Sequence, residues 1–327
     1  MPCHGASDKS PMTEQLHLLT PCLNAAATID RTIWGVVSQE GGVAIRYHVQ
    51  DGGSTDGTLE KLSAWRERIG RMRDELPSRV EFTFDSRPDR GMYEAILRGF
   101  EMMRTPSEAM MGWCNADDVL WQGSLAHVAR VGREFPETRW LTGWSTSFDE
   151  RLRFNWLEKN TFFPRQVLAA GLANGRHWPH LQQESTFWRK GLWDKVGGVD
   201  PSFRLAGDWD LWRRFAQHEE LVHVDRQLGA FYFREGQKSA DVSAYQAECE
   251  ARCPMPSRLK AYRGLVSAAP RMETLRIGPG EGGALRRRLL RLDSSLSESL
   301  RLNLLPAMSY FRKLRRRGMA ACQASAN

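Results

Sequence analysis

The sequence holds no uninterrupted apolar run of about 18 residues, the length that spans a bilayer, so no membrane-crossing helix is expected. Residues 1–14 lack the apolar centre of a secretory leader and read as a disordered tail. Cysteine is sparse: the six, at Cys3, Cys22, Cys114, Cys249, Cys253 and Cys322, form no paired metal-ligand spacing. A chain of 327 residues does not need disulfide staples, so reduced thiols and a cytoplasmic location are expected. Cys249 and Cys253 could share a helical face, but two isolated thiols make a poor zinc site. The glycine-rich stretch 278–283 lacks the spacing and the preceding strand of a dinucleotide fingerprint and reads as a linker. No internal repeat is found.

What remains is an ordinary globular composition, 41% apolar and 26% charged. The net charge of +7 is unevenly spread. From Ala251 to the end, 16 Lys or Arg stand against 4 Asp or Glu, so a mildly acidic body carries a basic tail.

From Gln15 short apolar runs alternate with helical patterns. Strands are expected at Gln15–Thr20, Ala44–Gln50, Val80–Phe84 and Ala109–Cys114, and helices at Ala26–Gln39, Asp56–Ile69 and Tyr93–Met103. That alternation predicts an α/β fold with a largely parallel sheet flanked by helices. Ligands of such sheets bind beyond the carboxyl ends of the strands, where the polar clusters at 51–56, 85–91 and 115–118 fall. Further strands are expected at Arg139–Phe148, Glu184–Arg189, Leu221–Val224 and Ala230–Phe233, with a helix at Asp208–Gln217.

Asp117 and Asp118 close a hydrophobic strand, where carboxylates can ligate a hard cation whose shell a diphosphate completes. The same pair could instead favour a helix start. Asp51 and Asp56 bracket a Gly-Gly-Ser-Thr turn; Asp56 reads mainly as a helix cap, while Asp51 is equally a ligand or a turn residue. Asp208, beside Trp209 and Asp210, can accept a proton from an attacking hydroxyl or begin a helix. His177 and His180 near Glu184 have unpersuasive metal spacing. Trp144, Trp156 and Trp178 are better suited to packing than to stacking on sugars.

Taken in order, these segments resemble family-2 glycosyltransferases. The resemblance rests on Thr20-Pro21-Cys22-Leu23-Asn24, on Gln50 to Thr58, and on Arg87-Pro88-Asp89-Arg90-Gly91-Met92-Tyr93-Glu94-Ala95. It continues through Asn115-Ala116-Asp117-Asp118, Gln183 to Arg189 and Gly207-Asp208-Trp209-Asp210-Leu211-Trp212, and covers roughly Gln15 to Ser239. Gly52 and Gly207 stand where many relatives have an acid, and Asn115 replaces the first acid of the metal motif.

The resemblance implies a GT-A nucleotide-binding mixed sheet over 15–240, with a nucleotide-sugar half (15–135) and an acceptor half (136–240). It implies inverting transfer from a nucleotide-sugar, with a UDP-sugar expected, aided by Mn2+ or Mg2+. Thr20, Pro21, Asn24, Asp51, Ser54, Asp89, Gly91, Asn115 and Asp117 would bind the donor. Asp117 and Asp118 would hold the metal, and Asp208 would be the general base. Gln183, Glu184 and Asp210 would lie on the acceptor side. Two other activities compete with this one, a metal-dependent nucleotidyltransferase and a non-catalytic nucleotide-sugar-binding module.

Residues 241–327 read as a basic helical extension. Leu285, Leu289, Leu292, Leu296, Leu300 and Leu304 recur at helical spacing, beside Arg286, Arg287, Arg288 and Arg291. Such a helix suits the anionic inner face of a cytoplasmic membrane and a lipid-linked saccharide acceptor, or packing on the body or a second subunit. Nucleic acid is not expected as a partner, because base-stacking aromatics are not interleaved with the arginines.

Overall fold

The first strand, β1 (Gln15–Cys22), is buried from Leu16 onward on both faces, which requires a central place between two helical layers. The computed structural model describes residues 15–158, 162–234, 236–254, 257–258, 260 and 273–291. Within them, β2 (Ala44–Asp51) and β3 (Arg79–Ser86) extend from β1 on one side, and β4 (Met110–Trp113) lies on the other, all parallel. The register sets Cys22 opposite Asp51 and Asp51 opposite Ser86, so these strands end at one edge.

The crossovers are α1 (Ile29–Val37), α2 (Thr58–Arg71) and α3 (Met92–Met103). Beyond β4 come β5 (Val119–Leu120), α4 (Ser124–Glu134), β6 (Trp140–Phe148), β7 (Phe154–Glu158) and α5 (Arg165–Ala169). They are followed by β8 (Thr186–Arg189), α6 (Lys190–Val196), α7 (Gly207–His218), β9 (Val222–Tyr232) and α8 (Val242–Arg252). β10 (Glu273–Pro279) and β11 (Leu285–Arg291) complete a mixed sheet of order β11-β10-β9-β6-β8-β4-β1-β2-β3; β5 pairs with β9 and β7 with β6.

Helices α1, α2 and α4 cover one face with Leu16, Leu18, Ile33, Leu62 and Val128 in the core. Helices α3, α5, α6 and α7 cover the other, where Trp113, Trp140, Trp188, Trp193 and Trp212 meet Phe100 and Phe215. Trp113 stacks on Trp212 at 5.8 Å, and Trp140 on the same ring at 6.0 Å. Truncating one of these indoles to alanine would cost about 3–5 kcal/mol.

Three local expectations change. The two short closing strands are one continuous strand, β9. The glycine-rich stretch at 278–283 ends β10 and turns the hairpin to β11. The leucine stripe is a strand, not a helix, over Leu285–Arg291: β10 adds in parallel to β9, and β11 pairs with β10. Ladder pairing and burial of Ile277 override the helical spacing there. The rest of that stripe, like the tail 1–14, lies outside the described residues. No helix among the described residues is long and apolar enough to cross a membrane.

Candidate active site

At the carboxyl ends of β1 and β2 two loops are stitched together. Asn24, in the left-handed region at φ 50°, donates its backbone N–H to Ser54 Oγ (2.7 Å) and accepts the Thr55 N–H on Oδ1 (3.0 Å). Asp51 is fully buried. Its Oδ2 accepts Gly53 N and Ser54 N, each at 2.9 Å, and Ser86 Oγ at 2.7 Å, while Oδ1 accepts Ser54 Oγ and Cys22 Sγ. Burial works against the charge, but the hydroxyl and backbone donors outweigh it and hold the carboxyl below its ordinary range.

The ridge opposite is Asp89, whose Oδ1 accepts Gly91 N at 2.9 Å as α3 begins. A Cβ on Gly52 would lie 2.6 Å from Asp89 Oδ2, so a side chain there would make the Asp89 carboxylate turn aside.

Past β4 the adjacent acids diverge. Asp118 is wholly buried, accepting Tyr232 N on Oδ1 (3.2 Å) and Gln183 Nε2 (3.2 Å) and Asn115 Nδ2 (3.4 Å) on Oδ2. Burial, then the charges of Asp117 and Glu184, push its carboxyl well up. Asp117 reaches the cleft. Its Oδ2 meets Arg234 Nε at 2.6 Å and Gln237 Nε2 at 3.5 Å, and Oδ1 takes no hydrogen bond among the described residues. Arg31, stacked 3.8 Å over the Tyr232 ring, pins the Asp117 carbonyl at 3.0 Å.

The donor chemistry suits a hard divalent cation: the Asp117 carboxylate, and the buried carbonyl Oδ1 of Asn115, which has no partner. Among the described residues no group of three or more His, Cys, Asp or Glu could hold an ion.

Asp208 opens α7. Its Oδ1 accepts Trp209 N at 2.8 Å and lies 3.4 Å from the Tyr93 hydroxyl. Burial raises this carboxyl to about 6, even though both hydrogen bonds favour the charged form. Glu184 is buried, accepts Ser145 Oγ on Oε1, and leaves Oε2 without a partner. Burial raises it to about 7, and the carboxylates of both Asp208 and Asp117 add to the rise. Glu184 therefore lies within electrostatic reach of the two acids, tying the α7 end to the β4 end of the cleft.

Residues 18–171 match the model of Glycosyl transferase family 2. Over this stretch, a little under half of the chain, the sequence is similar to that family. A PGL/p-HBAD biosynthesis glycosyltransferase of Mycobacterium bovis is 24% identical over 217 residues, 63% of this chain and 71% of that protein. The Mycobacterium tuberculosis protein of the same description matches to the same extent. Among solved structures, a fragment of S. aureus TarS crystallised with UDP-GlcNAc shares the fold at a TM-score of 0.52 and 13% identity, over 79% of this chain and 67% of that one. The architecture is that of a GT-A glycosyltransferase.

Within this glycosyltransferase framework the anticipated residues separate. Asn24, Ser54, Asp89, Gly91, Asn115, Asp117 and Asp208 gather along the carboxyl edge of the sheet. Thr20 is fully buried, its hydroxyl 2.9 Å from that of Tyr47, and Pro21 is buried beside it. Asp51 directs its carboxylate into its own loop. Asp118 faces inward, with both oxygens hydrogen-bonded. Asp210 is buried, and Arg213 and Arg214 take its two oxygens at 2.8 and 2.7 Å. Gln183 and Glu184 line the inner wall behind Asp118. Asp56 accepts Thr58 N at 3.1 Å at the start of α2, whose N-cap position is Gly57.

Sequence reasoning missed Arg31, Arg234, Ser145 and Glu248. Glu248 on α8 accepts Arg204 N at 3.0 Å on Oε1, and Leu205 N at 3.0 Å and Ala206 N at 2.9 Å on Oε2. It anchors the segment that delivers Asp208, from a part of the chain read only as an extension. A carboxylate four residues before the basic Arg252–Arg258 stretch carries no local signal of that contact.

Proposed function

We propose that this chain transfers a sugar from a nucleotide-sugar donor to a saccharide or lipid-linked acceptor hydroxyl, with inversion at the anomeric carbon. The observation that carries the reading is Asp208, a carboxyl raised to about 6 at a helix start, electrostatically linked through Glu184 to the Asp117 end of the cleft. A base so tuned accepts a proton near neutrality and is poor as a permanent charge. One such base and one direct displacement suffice, with no covalent intermediate.

The loop joined by Asn24 and Ser54 would receive the nucleoside, with Asp89 closing over it. Asp117, with Asn115 beside it, would hold Mn2+ or Mg2+. A divalent cation bound there would supply charge neutralisation to the departing diphosphate. Asp208 would take the acceptor hydroxyl's proton on the far side of the sugar, while the buried walls of Trp209 and Tyr93 limit water. A UDP-sugar donor is supported by the TarS likeness in fold and its UDP-GlcNAc complex. A lipid-linked acceptor is supported by the PGL/p-HBAD relatives and by the exposed arginines Arg286 and Arg288 on β11, which suit an anionic surface.

The test is nucleoside-diphosphate release from a panel of nucleotide sugars with Mn2+ or Mg2+, with and without chelator. Release from one donor, lost in Asp117→Ala and in Asp208→Asn, supports the reading. Pyrophosphate as the product would replace it with nucleotidyl transfer, and a folded protein that binds donors without any turnover across acceptors would leave a binding module.

A further inference from the structure

We propose that Arg234 is an exchangeable counter-ion of Asp117: it neutralises the carboxylate while the site is empty, yields it to a divalent cation, and then grips the donor's diphosphate. The inference rests on the nucleotide-sugar reading above and adds to it a coupling between metal and donor binding.

Asp117 needs a cation. Its side chain is only 11% exposed, and a second carboxyl, Asp118, follows it directly in the chain. Arg234 meets that need at 2.6 Å, with Gln237 reaching the same oxygen and also the Tyr232 carbonyl at 3.2 Å. The guanidinium itself is 52% exposed, so it leaves Asp117 without stranding a buried charge. Its attachment is also favourable for movement. Arg31 clamps Tyr232 by stacking, and Tyr232 pairs with Phe148 in the sheet, so β9 is fixed two residues before Arg234. The side chain can swing while the strand stays.

Two cations on one carboxylate repel each other. A metal ion arriving alone therefore has to evict Arg234 into solvent. Arriving with a diphosphate, it leaves the guanidinium an anion of matching geometry, which accepts two parallel N–H bonds. Metal and nucleoside diphosphate should then each strengthen the other's binding by the same factor, about tenfold or more.

The experiment measures Mn2+ binding by electron paramagnetic resonance, alone and with saturating UDP, GDP, dTDP or ADP, on the full chain. Wild type should bind Mn2+ weakly alone and at least tenfold more tightly with the recognised diphosphate. Arg234→Gln should bind Mn2+ alone severalfold more tightly than wild type, bind the diphosphate more weakly, and lose most of the coupling. Arg234→Lys, which keeps the charge, should restore weak metal binding. A purely structural role would weaken both ligands in Arg234→Gln, and that result overturns the proposal, as does unchanged coupling in a variant that melts like wild type. If wild type binds neither Mn2+ nor any of the four diphosphates, the nucleotide-sugar reading falls together with this one.

Discussion

The hydroxyl of Tyr93 accepts the backbone N–H of Asp208 at 3.3 Å and stands 3.4 Å from the Asp208 carboxylate, with the Leu205 carbonyl 2.9 Å away as the other acceptor for its single proton. Tyr93 is thus bonded to both ends of the residue proposed as base. Burial raises the Asp208 carboxyl to about 6, and the Tyr93 bond opposes that rise. Only the ionised form accepts a proton, so transfer should fall as pH drops through about 6. Tyr93→Phe removes a bond to the charged form and should move the acidic limb of the kcat profile to higher pH. Rates near pH 6 should fall severalfold, and rates at pH 8 much less. A limb that moves to lower pH would show that the hydroxyl does not serve the carboxylate.

Glu248 acts on the same group from the opposite side. Its charge adds to the rise of Asp208 that burial begins, and its oxygens hold three backbone N–H groups ahead of α7. Glu248→Gln keeps the shape and one acceptor oxygen but removes the charge, so the acidic limb should shift to lower pH. Glu248→Ala frees three donors as well, and kcat should fall at every pH while KM for the donor changes little. Equal behaviour of the two variants in the pH profile would remove the electrostatic part of this account.

Two glycines of the site are each met by a neighbour that a side chain would strike. A Cβ on Gly207 would lie 2.7 Å from two carbons of the buried Tyr93 ring, which has nowhere to go. Gly207→Ala should therefore destabilise by about 1–3 kcal/mol, as overpacking does, and reduce transfer beyond that loss by displacing the Tyr93–Asp208 pair. At Gly52 the obstacle is Asp89 Oδ2, the far end of a flexible side chain. Gly52→Asp should leave the melting temperature within about 2 °C of wild type, since a carboxylate that can turn aside costs little stability. It should weaken donor binding by placing two negative charges side by side. Thermal melts and donor titrations on both variants check the contrast.

The edge on which the site lies was legible because buried parallel strands are continuous apolar runs and the polar clusters follow them directly. Asp208 was legible as a helix-start carboxylate. The division of labour within each acidic pair was not. Asp117 and Asp118 are neighbours in sequence, yet a turn sends one to the cleft and the other to Tyr232 N, and only the position of β9 decides which. Asp51 was open between ligand and turn residue; its five donors come from β1, its own loop and β3, which are brought together by register. The leucines at 285 and 289 satisfy helical spacing and, four apart, also one face of a strand. The open edge of β9 resolved that ambiguity, and no local pattern reports it. Arg234 and Glu248 act across 117 and about 40 residues of sequence, respectively, through contacts that have no periodicity.

Asp51 offers the sharpest separation between a binding role and an architectural one. Its oxygens accept two backbone N–H groups, two hydroxyls and a thiol, and these bonds set the loop that Asn24 and Ser54 share. An asparagine keeps one acceptor oxygen but turns an NH2 group toward donors. Hydrogen bonds to a charged acceptor are each worth about 1.5–3 kcal/mol, so Asp51→Asn should lose at least about 2 kcal/mol of stability with no nucleotide present. The sign of its pH dependence follows from the depressed carboxyl. The folded protein holds this proton less tightly than the unfolded chain, so the stabilisation is present above the ordinary carboxylate value of about 4 and is lost as pH falls through the lower folded value. Urea melts of wild type and Asp51→Asn should diverge at pH 7 and converge in acid. If the two melt alike at pH 7 while donor binding collapses, Asp51 is a ligand of the nucleotide and its bonds within the loop are secondary.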